Sequence, residues 1–260
     1  MIEKVNPSHP DKVVDRISGA IVDLAYKKDK NPKIAIEALL GHGKFYTIIE
    51  TNINITKKEI EKIVGRIAGK KDIELILVKQ DKNLSKNQEK EIRCGDNGIF
   101  KGVPLSEEEK KLSKIARNIY KEFPYDGKYV LDNDKLIICQ SHDKENKLKE
   151  EYINAIINPL GYWTGGSDVD TGAINRKLGS DLGKSVTGGG IHGKDLSKAD
   201  VSINIYAFLK AQETKKEVSI SCAIGDRIVD GKPFSEIVEI ARKYIEKIGG
   251  FEELAKWGLF

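Results

Sequence analysis

The sequence predicts an α+β protein in which short strand pairs alternate with amphipathic helices, a pattern that recurs about three times. Two observations carry this. Strand-like runs come in pairs joined by tight turns, as at Gly41-His42-Gly43 and Asp132-Asn133-Asp134; such turns join antiparallel neighbours, unlike the long crossovers of a doubly wound sheet. Between the pairs lie runs whose apolar residues repeat at helical spacing. No stretch is rich enough in Pro or Ser to separate independent domains.

In order, residues 11–27 carry Val13, Val14, Ile17, Ile21, Leu24 and Ala25 on one helical face. Residues 33–41 alternate Ile34, Ile36, Ala38 and Leu40 as a strand, and 44–52 read as its partner. Residues 56–70 form a second helix, opened by a Thr56/Glu59 capping box, and 72–80 a strand. The polar residues 81–102 read as an irregular loop. Ser106 and Glu109 open a helix bearing Leu112, Ile115, Ala116 and Ile119. Strands follow at 128–131 and 135–140, then a helix at 146–157. Residues 200–210 alternate like a strand but also suit a buried helix. A strand at 217–224 and a helix at 235–248 complete the pattern.

The chain has 260 residues, 39% apolar and 32% charged, long enough for a large core. Its net charge of +4, set by 44 basic against 40 acidic groups, argues against a nucleic-acid partner. No 18-residue apolar run suggests a membrane span, and the first residues lack a signal-like apolar segment. Cys94, Cys139 and Cys222 lack metal-ligand spacing and read as reduced thiols in a cytoplasmic protein, with Cys139 and Cys222 in the core.

The chemistry concentrates between Gly165 and Asp200. These 36 residues hold nine glycines, five Lys or Arg and five Asp, with no aromatic residue. Glycine lets backbone N–H groups approach a ligand, and Gly188-Gly189-Gly190 can form an anion nest. Arg176, Lys177, Lys184, Lys194 and Lys198 supply positive charge, while Asp170, Asp181, Asp195 and Asp200 offer ligands for Mg²⁺. Together these features predict a polyphosphate site, yet the chain contains no Walker loop, Rossmann fingerprint, HExxH or CxxC pair. Two smaller clusters accompany it. His9-Pro10-Asp11-Lys12 stands at a helix entrance suited to metal and phosphate, where Asp11 also complements the helix dipole. Arg93-Cys94-Gly95-Asp96-Asn97-Gly98 reads by itself as a turn.

In family order, these clusters resemble the S-adenosylmethionine synthetases. Ser8 to Lys12 and Asp15 to Ala20 resemble GHPDK and the helix after it; Arg93 to Gly98 resembles GAGDQG. Asp126-Gly127-Lys128 resembles D-x-K, Ile157 to Gly161 resembles INPTG, and Gly165 to Lys177 and Thr187 to Val201 resemble the two glycine-rich motifs. The resemblance implies a compact, C-terminally shortened member that joins ATP and L-methionine by attack of sulfur on C5′, releasing triphosphate that is then cleaved to pyrophosphate and phosphate. It implies three intertwined subdomains in a pseudo-threefold arrangement, near 1–100, 101–160 and 161–260. It also implies a homodimer or dimer of dimers, with sheets packed face to face and shared active sites; faces at Ile34/Ile36 and Ile73/Leu75/Leu77 could serve that packing.

The family roles carry over as follows. Asp11 and Asp200 would hold two Mg²⁺ per site and Glu37 a K⁺. His9, Lys128, Arg176, Lys177 and Lys194 would act on the triphosphate. Asp126, Asp170, Gly189, Gly190 and either Tyr162 or Trp163 would hold the nucleotide. Glu50, Gln80, Asp96 and Lys198 would face methionine. The family's QSPDI is here Gln80 to Leu84, and its arginine after the second metal aspartate is Val201. A tripolyphosphatase or a non-catalytic nucleotide-binding paralogue are the competing readings.

Overall fold

In the computed structural model, residues 1–83, 92–143, 147–185 and 189–260 are described. Leu84, Thr187 and Gly188, all named above, lie outside them. The described chain is α+β, with three units in which helices cover a sheet.

The first unit is a four-stranded sheet in the order β4-β3-β2-β9. Strands β2 (Ile34–Gly41) and β3 (Lys44–Thr51) form a hairpin that pairs Ile36 with Ile49 and Leu40 with Phe45. Their burial alternates residue by residue, as expected of a sheet with one covered face. Helix α2 (Lys57–Ala68), capped by the predicted Thr56/Glu59 box, carries the chain across to β4 (Asp72–Lys79), parallel to β3. Helix α1 (Pro10–Lys28) lies on the covered face. The short β9 (Gly172–Ala173) pairs with Leu39 and Leu40.

The second unit is the sheet β1-β6-β7-β8 with helix α3 (Glu107–Glu122) upon it. Its edge strand β1 (Ile2–Val5) escaped the sequence reading, because IEKV shows no alternation; its register comes from β6 (Gly127–Asp132), with Val5 opposite Lys128. Strand β7 (Lys135–Gln140) follows as predicted. The helix expected over 146–157 is corrected: α4 covers Lys147–Glu151 alone, and Ile156–Ile157 form β8 beside β7. Position 146 lies outside the described residues.

In the third unit, β10 (Val218–Cys222) pairs with β5 (Gly98–Gly102), so the expected irregular stretch ends in a strand. Gly102 lies so close to the backbone of Ala207 that any Cβ would collide with it. The ambiguous segment is helix: α6 (Ala199–Thr214) is buried around most of its circumference, which hides the amphipathic period. The small α5 (Leu178–Leu182), the β11–β12 hairpin (Ile228–Val229 and Lys232–Pro233), α7 (Phe234–Ile248) and α8 (Phe251–Trp257) complete the fold.

One large core joins α1, α2, α6, α7 and the first sheet, and a smaller one lies between α3 and the second sheet. Ile34 and Ile36 belong to the large core and Ile73 and Leu75 pack against it, while Leu77 of the same expected face is exposed. On the outer face of this sheet Leu39, Tyr46, Ile48, Ile76 and Val78 are exposed. The cysteines are free. Cys94 and Cys222 are buried with their sulfurs 3.2 Å apart, and Cys139 is only half-buried. Among the described residues no helix is long and apolar enough to cross a membrane.

Candidate functional site

The site is built around the N-terminus of α1. His9 is the extended cap residue, and Pro10 in the first turn has no N–H to leave unsatisfied. His9 Nδ1 accepts the backbone N–H of Asp11 at 3.2 Å, which leaves Nε2 to carry the ring proton. Asp11 is almost fully buried, and its Oδ1 accepts the N–H of Ala173 in β9 at 2.8 Å. Two cations face the same carboxylate: Arg176 Nε at 3.6 Å and Lys177 Nζ at 3.8 Å. Gly172 permits this approach, because a Cβ there would stand 2.6 Å from Asp11 N and nearer still to the Pro10 carbonyl.

A second wall comes from β6 and the segment ending at β9. Asp126 Oδ2 accepts the N–H of Gly166 at 3.0 Å, while its buried Oδ1 has no hydrogen-bond partner. Burial pushes the Asp126 carboxyl up to about 6, outweighing the Gly166 bond. Burial likewise pushes His9 down to about 3, and the charges of Lys177 and Lys128 add to the effect. The His9 imidazole is therefore neutral at physiological pH. Its electrostatic partners Lys177, Lys128, Asp170 and Lys12 gather the predicted phosphate and ribose groups into one region. Trp163 borders it, since a Cβ on Gly165 would meet both its ring and Asp126 at 2.7 Å; Tyr162 is exposed.

The third wall is the turn before α6. Lys194 Nζ and Asp200 Oδ2 form an ion pair at 2.6 Å. Gly189 lies against that carboxylate, where a Cβ would sit 2.5 Å from an oxygen. A Cβ on Gly190 would fall 2.7 Å from Asn175 Oδ1 and closer to the rest of that amide. The glycines thus admit neighbouring side chains as well as any ligand. Residues 193 and 194 dock on β2, with Ile36 N donating to Gly193 O at 2.8 Å.

Beneath these walls lies a buried charged group that the motifs did not assign: Lys12, Asp15, Asp181 and His192. Lys12 donates to Asp181, and His192 Nε2 lies 2.9 Å from Asp181 Oδ2 and 3.7 Å from Asp15 Oδ2. Burial opposes ionisation of Asp181, but Lys12 and His192 outweigh it and hold the carboxyl down at about 2; for Asp15 burial wins and the shift is upward. The three residues Asp15, Asp181 and His192 have a metal-like spacing, and the Lys12 ammonium pairs with both carboxylates of the group. The Asp195 carboxylate accepts the N–H groups of Ile34 and Ser197. A signal for the buried group was present: Asp11 and Asp15 are one helical turn apart, on a face of α1 that also carries the core residue Val14.

The remaining expected residues stand apart. Glu37 and Glu50 are exposed on the outer face of β2 and β3, and Gln80 follows β4 with its side-chain oxygen buried and without a partner. Asp96 is in the turn before β5, where its carbonyl is 3.6 Å from Cys222 Sγ, and Lys198 is the cap residue of α6. Among the described residues, no hydrogen bond or ion pair links the side chains of Glu37, Glu50, Gln80 or Asp96 to Asp11 or Asp200.

The family model described as S-adenosylmethionine synthetase, N-terminal domain, matches residues 1–93. Curated relatives extend the similarity along the chain. The S-adenosylmethionine synthase of Mycoplasma capricolum is 29% identical over 297 aligned positions, covering 86% of this chain and 76% of that protein. That of Salinibacter ruber is 26% identical, covering 94% and 85%. That of Mesoplasma florum is 28% identical, covering 86% and 78%.

Proposed function

From the similarity of this chain to S-adenosylmethionine synthases over most of its length, we infer synthesis of S-adenosylmethionine from ATP and L-methionine, carried out at the site formed by the α1 N-terminus, β9 and the Lys194–Asp200 pair. The carrying observation is the convergence of His9, Arg176 and Lys177 on the buried Asp11.

In this reading the methionine sulfur forms a bond to C5′ while the C5′–O5′ bond breaks, and the electron pair leaves on the triphosphate. Arg176, Lys177, Lys194 and Lys128 bind the leaving group, whose departure needs its charge neutralised in a preorganised site. His9, neutral and protonated on Nε2, donates a hydrogen bond to an oxygen of the leaving triphosphate. Asp170 accepts from the ribose hydroxyls, Asp126 orients the Gly165-Gly166 backbone, and Trp163 offers its face to adenine. Attack of water on a terminal phosphorus of the released triphosphate, with the same cationic groups stabilising the expelled pyrophosphate, completes the cycle.

A divalent ion fits the donor set. Asp11 and Asp200 are hard oxygen donors, and the Asp200 carboxylate lies in a cradle that a Cβ on Gly189 would fill. The proposed assignment is Asp11 and Asp200 for two Mg²⁺ and Glu37 for K⁺; bound Mg²⁺ would neutralise triphosphate oxygens. Glu50, Gln80, Asp96 and Lys198 are assigned to methionine. The outer sheet face bearing Leu39, Tyr46, Ile48, Ile76 and Val78 also carries Glu37 and Glu50, so packing two copies there would place those carboxylates at a shared interface. This supports a homodimer with sites completed across it.

Incubation with ATP, methionine, Mg²⁺ and K⁺, followed by chromatography, tests the reading. S-adenosylmethionine with stoichiometric phosphate and pyrophosphate is expected. Phosphate release from tripolyphosphate without S-adenosylmethionine would replace this function with a tripolyphosphatase, and no product under any ion condition would overturn both.

A further inference from the structure

The buried group beneath the site makes no side-chain bond to the side chains of the assigned ligands, yet it joins the segments that carry Asp11, Arg176-Lys177 and Lys194. Asp15 Oδ1 accepts the N–H of Asn175 at 2.8 Å, immediately before Arg176 and Lys177. Asn175 has φ of 61°, a left-handed conformation that Asn tolerates better than most residues. Its side chain is tied twice to the backbone of His192: Nδ2 donates to His192 O at 3.2 Å and Oδ1 accepts from His192 N at 2.9 Å. The His192 ring meets Asp181 at 2.9 Å, and Asp181 receives Lys12, the neighbour of Asp11. Asp181 N also donates to the carbonyl of Lys177 at 3.0 Å. The result is a closed circuit from α1 to the loop before α5, on to the turn carrying Lys194, and back through α5.

Such a circuit is an expensive way to gain stability. Asp15, Asp181 and Lys12 are fully buried, and Asp15 Oδ2 has no hydrogen-bond partner. Buried ion pairs often contribute less than apolar residues of the same volume, and an unpartnered buried oxygen carries a desolvation penalty. What directional bonds provide, and apolar packing does not, is a fixed relative position for two loops rich in glycine.

We propose that Asp15, Asn175 and His192 are positioning residues that set Arg176, Lys177 and Lys194 at triphosphate-binding distance around Asp11. This rests on the functional reading above, and it predicts an effect on the phosphate end of ATP alone. The test compares the full-length chain with Asp15→Ala and with Asn175→Gly. The second variant keeps access to positive φ while deleting both side-chain bonds, and so guards against a fold failure in the first. Inorganic tripolyphosphate with Mg²⁺ is the binding probe, read by calorimetry, beside steady-state kinetics well below each variant's melting temperature. The expected outcome is a rise of about tenfold or more in tripolyphosphate Kd and ATP KM, with the methionine KM held within about twofold. A purely structural role would lower the fraction of folded enzyme, reducing apparent kcat with both KM values unchanged; that pattern, or unchanged kinetics in folded Asn175→Gly, would overturn the proposal. Failure of the wild-type chain to make S-adenosylmethionine would instead strike at the functional reading itself.

Discussion

Replacing Gly172 with Ala should detach β9 from the start of α1. The added Cβ would stand 2.2 Å from the Pro10 carbonyl, where ordinary contact begins at 3.4 Å, so the two backbones must separate by about 1.2 Å. Neither partner is a flexible side chain: one is the first turn of α1, the other a strand hydrogen-bonded to β2. The same movement would stretch the 2.8 Å bond from Ala173 N to Asp11 Oδ1 to about 4.0 Å, beyond hydrogen-bonding range. Losing a bond to a buried carboxylate costs about 1.5–3 kcal/mol, a fall of roughly 3–12 °C in melting temperature for a chain of this size. Because Asp11 faces Arg176 and Lys177, a shift near 1 Å should also lower kcat/KM about 100-fold. Formation of S-adenosylmethionine measured by chromatography, together with a thermal melt, reads both effects. Gly65→Ala is the control: it lies inside α2 with open space around it, and should raise stability by about 0.5–1 kcal/mol without changing turnover. Wild-type turnover and melting in Gly172→Ala would refute the claim that this close approach holds the site together.

Three further perturbations separate the parts of the site. Asp200→Asn removes the carboxylate paired with Lys194 and should lower kcat by about 100-fold or more; retention of the wild-type rate and Mg²⁺ dependence would remove Asp200 from metal binding. For Asp126, whose pKa is raised from 3.8 to about 6 by burial, the native state holds a proton that the unfolded chain has lost between those values. Stability therefore falls as pH rises through that window. Asp126→Asn should gain relative to wild type by up to about 3 kcal/mol above pH 6 and by little near pH 4, measured by denaturant unfolding at several pH values; parallel curves would contradict the assignment. Ile48→Glu places a charge in the middle of the outer sheet face; with the proposed interface there, light scattering should give 29.0 kDa monomers for the variant beside a wild-type dimer, and a dimeric variant would place the interface elsewhere.

The fold was legible where one face of an element is wet. The Ile34–Gly41 and Lys44–Thr51 hairpin and the capped α2 and α3 announce themselves through period and capping chemistry, because solvent on one side forces alternation. It was illegible where the environment is the same all round or comes from distant chain. Helix α6 is enclosed on most sides, so its sequence reads equally as a strand; β1, β5 and β8 exist because β6, β10 and β7 offer them hydrogen bonds.

The sequence by itself determined the charges of the proposed phosphate site. His9, Asp11, Arg176, Lys177, Lys194 and Asp200 stand in motifs whose charges and close backbone approach suit a polyanion. Only the tertiary structure decided how deeply each carboxylate is buried and what it is paired with. Asp181 and Asp200 are alike in sequence, each an aspartate in a polar, glycine-rich stretch, but Asp181 is enclosed with Lys12 and His192 while Asp200 lies under Gly189 beside Lys194. The physical reason is that a side chain's charge is local information, whereas its desolvation and its partners are set by the fold, which can bring in a residue as distant along the chain as Lys12 is from Asp181, 169 positions away.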